Sequence, residues 1–226
     1  MSRQDEFKTN TNPATKYISW KSNDKTFEAY DKESKTKEMY KLPFEFTLLK
    51  VGSSVKGWND AEEAPIYSNI ITNTIKQDLN VRCGSNVIAR GKYTEIKDKI
   101  IASGAHFETN IFALYNGEIV MINLKGAALG KWFDFARQHR GKFLTEKIVV
   151  DGSEEGKKGA VKFNTPIFKL SGVLTLAQAN DANECYDVVA DFLELPPEEE
   201  INEIVVDEHD VVSGAPDTDD TDDLPF

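Results

Sequence analysis

The stretch Leu79–Leu124, which reads LNVRCGSNVIARGKYTEIKDKIIASGAHFETNIFALYNGEIVMINL, decides the fold class. It divides into short runs rich in β-branched and aromatic residues, and turn-forming residues separate these runs. The clearest turn is Asn116-Gly117, because this pair accepts the positive φ angles of a type I′ hairpin. A second turn is predicted at Lys97–Lys99, between the runs VIARGKYTEI and KIIASGAHF. The stretch therefore predicts successive strands joined by tight turns.

Further strands are predicted on the N-terminal side of this stretch. Turn-forming residues at Ser22–Lys25 lie between two aromatic runs and predict a hairpin. Phe44, Phe46 and Leu48 alternate with other residues, which is typical of a half-buried strand. In chain order, the predicted segments are a flexible arm at 1–14, the hairpin runs Tyr17–Trp20 and Phe27–Tyr30, the charged link KESKTKEMYK, the strand Lys41–Val51, the loop Gly52–Ala64 and the strand Ile66–Thr72.

The hydrophobic period changes on the C-terminal side of the stretch. In GAALGKWFDFARQHRG, the residues Leu129, Trp132, Phe133 and Ala136 follow helical spacing, and Gly141 is a natural helix terminator. The segments predicted after this helix are the strand Phe143–Val150, the loop DGSEEGKKG, the strand Ala160–Leu170 (an edge or bulged strand because of Pro166), and a last helix that starts at the capping-box residues Thr175 and Gln178 and ends near Leu195, before Pro196-Pro197.

Many short strands, one inserted helix and a closing helix predict a mainly β fold with minor α content. The specific candidate is an oligonucleotide-binding (OB) fold, that is, a five-stranded, partly open barrel with extra hairpins, one inserted helix and a C-terminal helix. A β-sandwich is an open alternative, because the strand pattern does not separate the two. The expected organisation is an arm at 1–14, one OB-like domain at 15–195 with the N-terminal hairpin and the C-terminal helix, and a disordered acidic tail at 196–226.

The net charge of −11 is unevenly distributed along the 226 residues. Residues 181–226 hold 17 Asp and Glu and no Lys or Arg, whereas residues 1–180 hold 27 basic and 21 acidic side chains. The body therefore carries +6 and the C-terminal region carries −17, which together give −11. A mildly basic body with a strongly acidic tail indicates a nucleic-acid partner.

The ten residues Asp217–Phe226, DTDDTDDLPF, hold five aspartates and no basic residue. Such a segment has little apolar surface to offset the entropy of ordering, and a solvated acidic terminus is one interpretation. The other is a docking peptide, because Leu-Pro-Phe with a terminal carboxylate offers a ring, a stiff turn and a charge to a basic, apolar pocket. The segment resembles the tail of bacterial single-stranded DNA-binding proteins (SSBs), which ends in Asp-Asp-Asp-Ile-Pro-Phe. Leu224 stands at the isoleucine position.

The rest of the chain resembles the phage-encoded SSBs of the OB-fold type. The resemblance rests on NPATKYISW, LPFEFTLLK, the segment Lys56-Gly57-Trp58, the helix start from Lys125 to Trp132, and KGAVKFNTPIFKL. Such proteins coat exposed single strands during DNA replication, recombination and repair, and recruit replication proteins (polymerase, helicase or primase) through the acidic terminal peptide. The resemblance therefore implies a recruitment role for the tail residues Asp219, Asp220, Asp222, Asp223, Leu224, Pro225 and Phe226.

A sequence-independent single-strand binder needs cations for the phosphates and aromatic faces for the bases. Trp58 in a predicted polar loop and Tyr93 on a predicted charged hairpin are candidate stacking residues, whereas Trp132 lies on an apolar helical stripe and is expected in the core. Lysines on strands are more often a solvated face than contacts. The candidate DNA-binding residues are Lys50, Lys56, Trp58, Tyr67, Arg82, Arg90, Lys92, Tyr93, Lys97, Lys99, Lys131, Arg137, Arg140 and Lys162.

No catalytic motif accompanies these residues. His106, His139 and His209 form no metal-binding pair, neither Cys83 nor Cys185 has a nearby histidine, and no phosphate-binding glycine loop occurs. We therefore expect no enzymatic activity, no metal and no cofactor. One rival hypothesis is an all-β protein-interaction adaptor that binds no nucleic acid, which an even scatter of the basic residues would favour. Another is a metal-dependent nuclease, which would require clustered carboxylates.

The expected compartment is the cytoplasm, or the host cytoplasm if the chain is phage-encoded. No run approaches the roughly twenty apolar residues that a membrane span requires. The polar start MSRQDEFKTNTN does not resemble a signal peptide. Two widely separated cysteines are expected to be free thiols in a reducing compartment.

Overall fold

The computed structural model describes residues 11–31 and 35–194. The fold is mainly β with minor α content, as the sequence predicts. The strands are β1 Lys16–Lys21, β2 Thr26–Asp31, β3 Thr36–Tyr40, β4 Phe44–Asn59, β5 Ala64–Ser68, β6 Leu79–Cys83, β7 Asn86–Gly91, β8 Ala105–Tyr115, β9 Glu118–Lys125, β10 Glu146–Lys158 and β11 Val161–Val173. The helices are α1 Tyr93–Ala102, α2 Gly126–His139 and α3 Leu176–Glu194, and a 3₁₀ turn occupies Arg140–Lys142.

Within these described ranges the strands form one open, mixed sheet. Its order is β3-β2-β1-β9-β8-β4-β5-β6-β7, and β10 pairs with β11 and with the start of β4. The β1–β9 pair is parallel, whereas β4 is antiparallel to each of its partners β5, β8 and β10. The sheet therefore has eleven strands rather than the five of the predicted barrel, and its ladder does not close on itself.

Side chains, and not a backbone ladder, join β11 to the β1–β2 turn. The Trp20 indole N–H donates a hydrogen bond of 2.8 Å to the Asn164 carbonyl. The Asn164 backbone N–H donates to the Ser22 hydroxyl at 2.7 Å, and its side-chain amide donates to the Ser22 carbonyl at 3.0 Å. These bonds bring the β10–β11 hairpin against the N-terminal strands, so the sheet curves around its core.

A β-bulge in β4 sets the two faces of the sheet. Phe44 and Phe46 are buried on one face, which we call the inner face. A register shift between Leu48 and Lys50 then reverses the alternation, so that Val55 is buried on the same face. The opposite face, which we call the outer face, carries the β4 residues Lys50, Gly52, Ser54, Lys56 and Trp58.

Helices α1 and α2 cover the inner face. The Tyr93 ring of α1 lies 4.4 Å from the ring of Phe107 on β8. The Trp132 ring of α2 stacks at 5.9 Å on Phe143 and meets Phe168 of β11 at 5.4 Å. Trp132 is buried, which confirms its predicted core position.

Helix α3 covers one end of the outer face. Leu49, Phe112 and Met121 form a second apolar cluster there with Ala182 and Val189 of the helix. The cluster contains no residue of the second half of β4, of β5 or of β6.

Several predicted turns and caps are confirmed. Asn116 and Gly117 have φ angles of 50° and 82° in the β8–β9 hairpin, as a type I′ turn requires. The Thr175 backbone N–H donates to the Gln178 side chain at 3.0 Å, and the Gln178 N–H donates back to the Thr175 hydroxyl at 3.3 Å. The N-terminal hairpin and helix α2 also lie where the sequence predicts them, and β11 is an edge strand that pairs with β10 alone.

The predicted hairpin around Lys97–Lys99 is wrong, because Tyr93–Ala102 forms helix α1. Tyr93, Ile96 and Ile100 are buried at helical spacing, and the Glu95 carboxylate accepts a hydrogen bond from the Lys92 N–H at the first turn. Isoleucines favour strands locally, but their three- and four-residue spacing here lets one helical face pack on the sheet. Tyr93 is therefore a core residue and not a stacking residue, and burial raises the pKa of its phenol.

Other predicted boundaries are corrected as well. Strand β4 continues unbroken through the predicted loop Gly52–Ala64 as far as Asn59, because its small polar residues pair with β8. The predicted link KESKTKEMYK contains β3, and the predicted loop DGSEEGKKG contains the second half of β10. Strand β5 ends at Ser68, and Ile71 forms a separate bridge with Ser53.

Ile100→Ala is expected to lower the free energy of unfolding by about 2–5 kcal/mol, because the Ile100 side chain is fully buried beneath α1. Its neighbour Ile101 is 46% exposed, so Ile101→Ala is the matched control and should change that free energy by less than about 0.5 kcal/mol. Urea denaturation measures both variants. Equal losses would contradict the packing of α1 on the sheet.

Candidate nucleic-acid interface

Three of the predicted DNA-binding residues lie side by side on the outer face. Lys56 on β4 is directly opposite Tyr67 on β5, and Tyr67 is directly opposite Arg82 on β6. Directly opposite residues of antiparallel strands share a face and have Cβ atoms about 4.5–5.5 Å apart. The sheet therefore places one aromatic ring between two cations. We call Lys56, Tyr67 and Arg82 the basic–aromatic row.

The hydroxyl of Tyr67 holds its ring in place. It donates a hydrogen bond of 2.9 Å to the Gly84 carbonyl at the turn between β6 and β7. Gly84 has a φ angle of +55°, a left-handed conformation that favours glycine. Tyr67 is half-buried, and its ring stacks on no other ring of the described residues. The ring is thus positioned by the fold without being used in core packing.

Trp58 and Arg90 extend this surface. Trp58 follows the lysine of the row by two residues on β4 and lies opposite Pro65 on β5. Arg90 on β7 lies opposite Asn80, which precedes the arginine of the row by two residues on β6. Side chains two residues apart on a strand share a face, so both candidates lie on the outer face. Trp58 is half-buried and makes no ring–ring contact within the described part of the chain.

The cations of this surface have no carboxylate partners in the described ranges. Lys56, Arg82 and Arg90 form no salt bridge there. Binding a phosphate at these side chains would therefore break no ion pair between described residues. Other candidate cations are paired: Lys131 lies 2.7 Å from Glu154, Lys162 lies 3.2 Å from Glu155, and Lys50 lies 4.0 Å from Glu194 and 5.4 Å from the ring centre of Tyr186.

The remaining candidates do not join the row. Lys97 and Lys99 lie on α1, which packs on the inner face, and Lys92 is the cap residue of that helix. Arg137 and Arg140 are exposed at the end of α2. The structure therefore divides the predicted set, and the group that it brings together is Lys56, Trp58, Tyr67, Arg82 and Arg90.

The strand register identifies two outer-face residues that the sequence patterns did not single out. His106 on β8 lies opposite Lys56, and Lys125 on β9 lies opposite Glu108. The alternation of His106 with the apolar Phe107 was a usable signal that His106 points outward. Its place beside Lys56, however, depends on the pairing of strands that are far apart in sequence.

A buried polar network borders the row on β8. The Glu108 carboxylate accepts hydrogen bonds of 3.2 Å from the Ser54 hydroxyl and from the Asn110 side-chain amide. The same Asn110 amide donates to the side chain of Asn123 at 3.2 Å. Glu108 thus places one buried, hydrogen-bonded carboxyl group beside the cations of the row.

The candidate tail residues Asp219, Asp220, Asp222, Asp223, Leu224, Pro225 and Phe226 lie outside the described residues. Within the described ranges, no helix is long and apolar enough to cross a membrane, and no group of three or more His, Cys, Asp or Glu side chains is placed to hold a metal ion. Comparison of the chain with protein-family models, with curated proteins and with solved structures finds no match. Function is therefore inferred from the outer face itself.

Tyr67→Phe is expected to lower the free energy of unfolding by about 0.5–1.5 kcal/mol, because it removes the hydrogen bond to the Gly84 carbonyl. Tyr186→Phe is the control, since the exposed Tyr186 hydroxyl makes no hydrogen bond within the described residues. Urea denaturation compares the two variants. A Tyr67→Phe protein as stable as the wild type would mean that the hydroxyl does not fix the ring.

Proposed function

We propose that the protein is a sequence-independent single-stranded DNA-binding protein that acts in DNA replication and recombination. The main support is the basic–aromatic row, in which Tyr67 lies between two cations that have no salt-bridge partner among the described residues. In this proposal bases stack on Tyr67 and Trp58, and phosphates contact Lys56, Arg82 and Arg90. Stacking platforms and cations are the two contributions that single-strand binders combine.

The arrangement favours a single strand over a duplex. A base reaches the face of Tyr67 only after it leaves its neighbours, and a single strand allows this at a lower cost than paired DNA. Lys56 and Arg82 lie one strand spacing, about 4.8 Å, on either side of the tyrosine. Each cation is therefore placed to contact one of the two phosphates that flank a base stacked on Tyr67. Stacking and phosphate contacts do not read base edges, so binding is expected to be independent of sequence.

The acidic tail has a separate role in this proposal. Residues 217–226 recruit replication proteins such as a polymerase, helicase or primase, in the cytoplasm. Residues 195–226 hold 12 acidic side chains and no basic ones, so this part of the chain can also occupy the cationic outer face and compete with DNA. DNA would then displace the tail and make it available to partners. Coating of the strand and recruitment would be coupled by charge alone.

A protein-interaction adaptor that binds no nucleic acid is the second candidate function. It is favoured by the positions of Lys131, Arg137 and Arg140, which lie on or after α2 and away from the row. Cations spread over several surfaces are typical of an ordinary solvated face. DNA binding itself separates the two functions.

Lys56→Ala/Arg82→Ala is expected to weaken binding to fluorescein-labelled oligo-dT, because the double variant loses two phosphate contacts. The slope of log affinity against log salt should become shallower by about 1.4, at about 0.7 per phosphate contact on a single strand. Fluorescence anisotropy across a salt series measures both quantities.

The matched control is Lys131→Ala/Lys162→Ala, which also removes two charges but takes them from lysines paired with Glu154 and Glu155. This control should keep the wild-type slope. Equal effects of the two double variants would show that net charge, and not the row, governs binding. No binding by the wild type at low salt would favour the adaptor.

Deletion of residues 217–226 is expected to tighten binding to oligo-dT at low salt, because five competing aspartates are removed. The gain should shrink as salt rises, since screening weakens the competition. Anisotropy titrations of the full-length and shortened proteins at two salt concentrations provide the measurement. Unchanged affinity at low salt would contradict the competition, while leaving DNA binding by the body intact.

A further inference from the structure

A second group of exposed aromatic and apolar side chains lies on the outer face of β1, β2 and β3. Tyr17, Tyr30 and Met39 are 46%, 37% and 47% exposed. On β1, Tyr17 is in register with Met121, which belongs to the apolar cluster of the outer face. On β3, Met39 is opposite Glu28 of β2, and Glu28 is in turn opposite Ser19 of β1. Alternation along β1 and β2 then places both tyrosines on the outer face. We call Tyr17, Tyr30 and Met39 the N-terminal patch.

Cations accompany this patch. Lys37 on β3 lies directly opposite Tyr30. Lys37 and Lys21 each lie 3.5 Å from the carboxylate of Glu28, which is buried between them. Among the described outward residues of β1, β2 and β3, the two positive charges of Lys21 and Lys37 therefore lie beside the one carboxylate of Glu28. This part of the face combines rings and positive charge, as the basic–aromatic row does.

Lys125 lies between the two surfaces. It is exposed on β9 and opposite Glu108 of β8, on the same face of the sheet. Ser19 of β1 is in register with Asn123 in the last pair of this ladder, and Lys21 and Lys125 each follow their member of that pair by two residues on the same face. Outward-facing cations thus cross the sheet in the order Arg82, Lys56, Lys125, Lys21 and Lys37.

We propose that the N-terminal patch is a second binding subsite for the same single strand, in which Tyr17 and Tyr30 stack on bases and Lys21 and Lys37 contact phosphates. The inference rests on the proposed function and extends it. The occupant is assigned from charge: a polyanion can follow the cations from the row, through Lys125, to the patch.

The separation of the two subsites sets the length of strand that reaches both. Five strand spacings lie between Tyr67 on β5 and Tyr30 on β2, or about 24 Å at about 4.8 Å each. His106 on β8 lies opposite Lys56 of the row, and Phe112 on the same strand is in line with Tyr17. These two positions are six residues apart along β8, or about 20 Å at about 3.4 Å per residue. The surface path is therefore about 30 Å. At about 3.4 Å per stacked nucleotide, about four nucleotides are too short for it and about sixteen are sufficient.

The test compares these two lengths of oligo-dT, which also bracket the site sizes of OB-type binders. Tyr17→Ala/Tyr30→Ala is expected to bind the oligomer of about four nucleotides as the wild type does, and to bind the oligomer of about sixteen roughly tenfold more weakly or worse. Tyr186→Ala is the control, because Tyr186 is a similarly exposed tyrosine on α3. Lys37→Ala should weaken binding to the long oligomer without affecting the short one. Circular dichroism checks that each variant is folded.

Equal affinity of the wild type and the double variant for the long oligomer would overturn the second subsite and leave the proposed function standing. Weaker binding to both lengths would also overturn it, because the patch would then not be a separate subsite. A double variant that changes its oligomeric state at unchanged DNA affinity would assign the patch to contact with a second copy of the chain. Absence of binding by the wild type to either length would instead overturn the proposed function itself.

Discussion

The β-bulge at Leu49 determines which side chains of β4 face outward. Before the bulge, Phe44 and Phe46 point into the core, and after it Val55 points the same way, so the outward residues include Lys56 and Trp58. Without this extra residue the alternation would turn every later side chain of β4 to the other face. The row depends on this, since Tyr67 and Arg82 are placed by pairing across from β4. Because β4 also pairs with β8 and β10, it is a rigid support for this surface.

Charge is arranged on the fold in a way that the overall value of −11 conceals. The lysines that lie beside carboxylates, such as Lys131 and Lys162, are compensated locally, whereas Lys56 and Arg82 have no such partner in the described ranges. The exposed carboxylates of α3 lie at the other end of the outer face, over its apolar cluster. The outer face therefore has an acidic end and a cationic region. The acidic end would repel a phosphate backbone and the cationic region would attract it, so both would direct such a backbone toward the cationic region.

The sequence predicts those parts of the fold that depend on local pattern. The Asn116-Gly117 turn, the apolar stripe of α2 and the Thr175–Gln178 cap all follow from neighbouring residues, and all are confirmed. The sequence predicts a hairpin in place of helix α1, because the isoleucines of this segment favour a strand locally. Which of these side chains are buried depends on the sheet against which the helix packs. The grouping of candidate site residues depends on the register between β4, β5 and β6, which no local pattern encodes. For that reason the sequence places Lys56 and Tyr67 in one candidate set with Lys131 and Tyr93, and does not show which of these side chains lie next to one another.

The most direct test of the account is the quenching of tryptophan fluorescence by poly-dT, measured for the wild type and for Trp58→Phe. Trp132 is buried in the core, and Trp20 is half-buried and hydrogen-bonded to Asn164, so Trp58 is the tryptophan beside the row. Saturable quenching in the wild type that Trp58→Phe largely removes, with little response to duplex DNA, is the result that the account predicts. No quenching at low salt, or quenching that Trp58→Phe leaves unchanged, would contradict binding of single strands at this face.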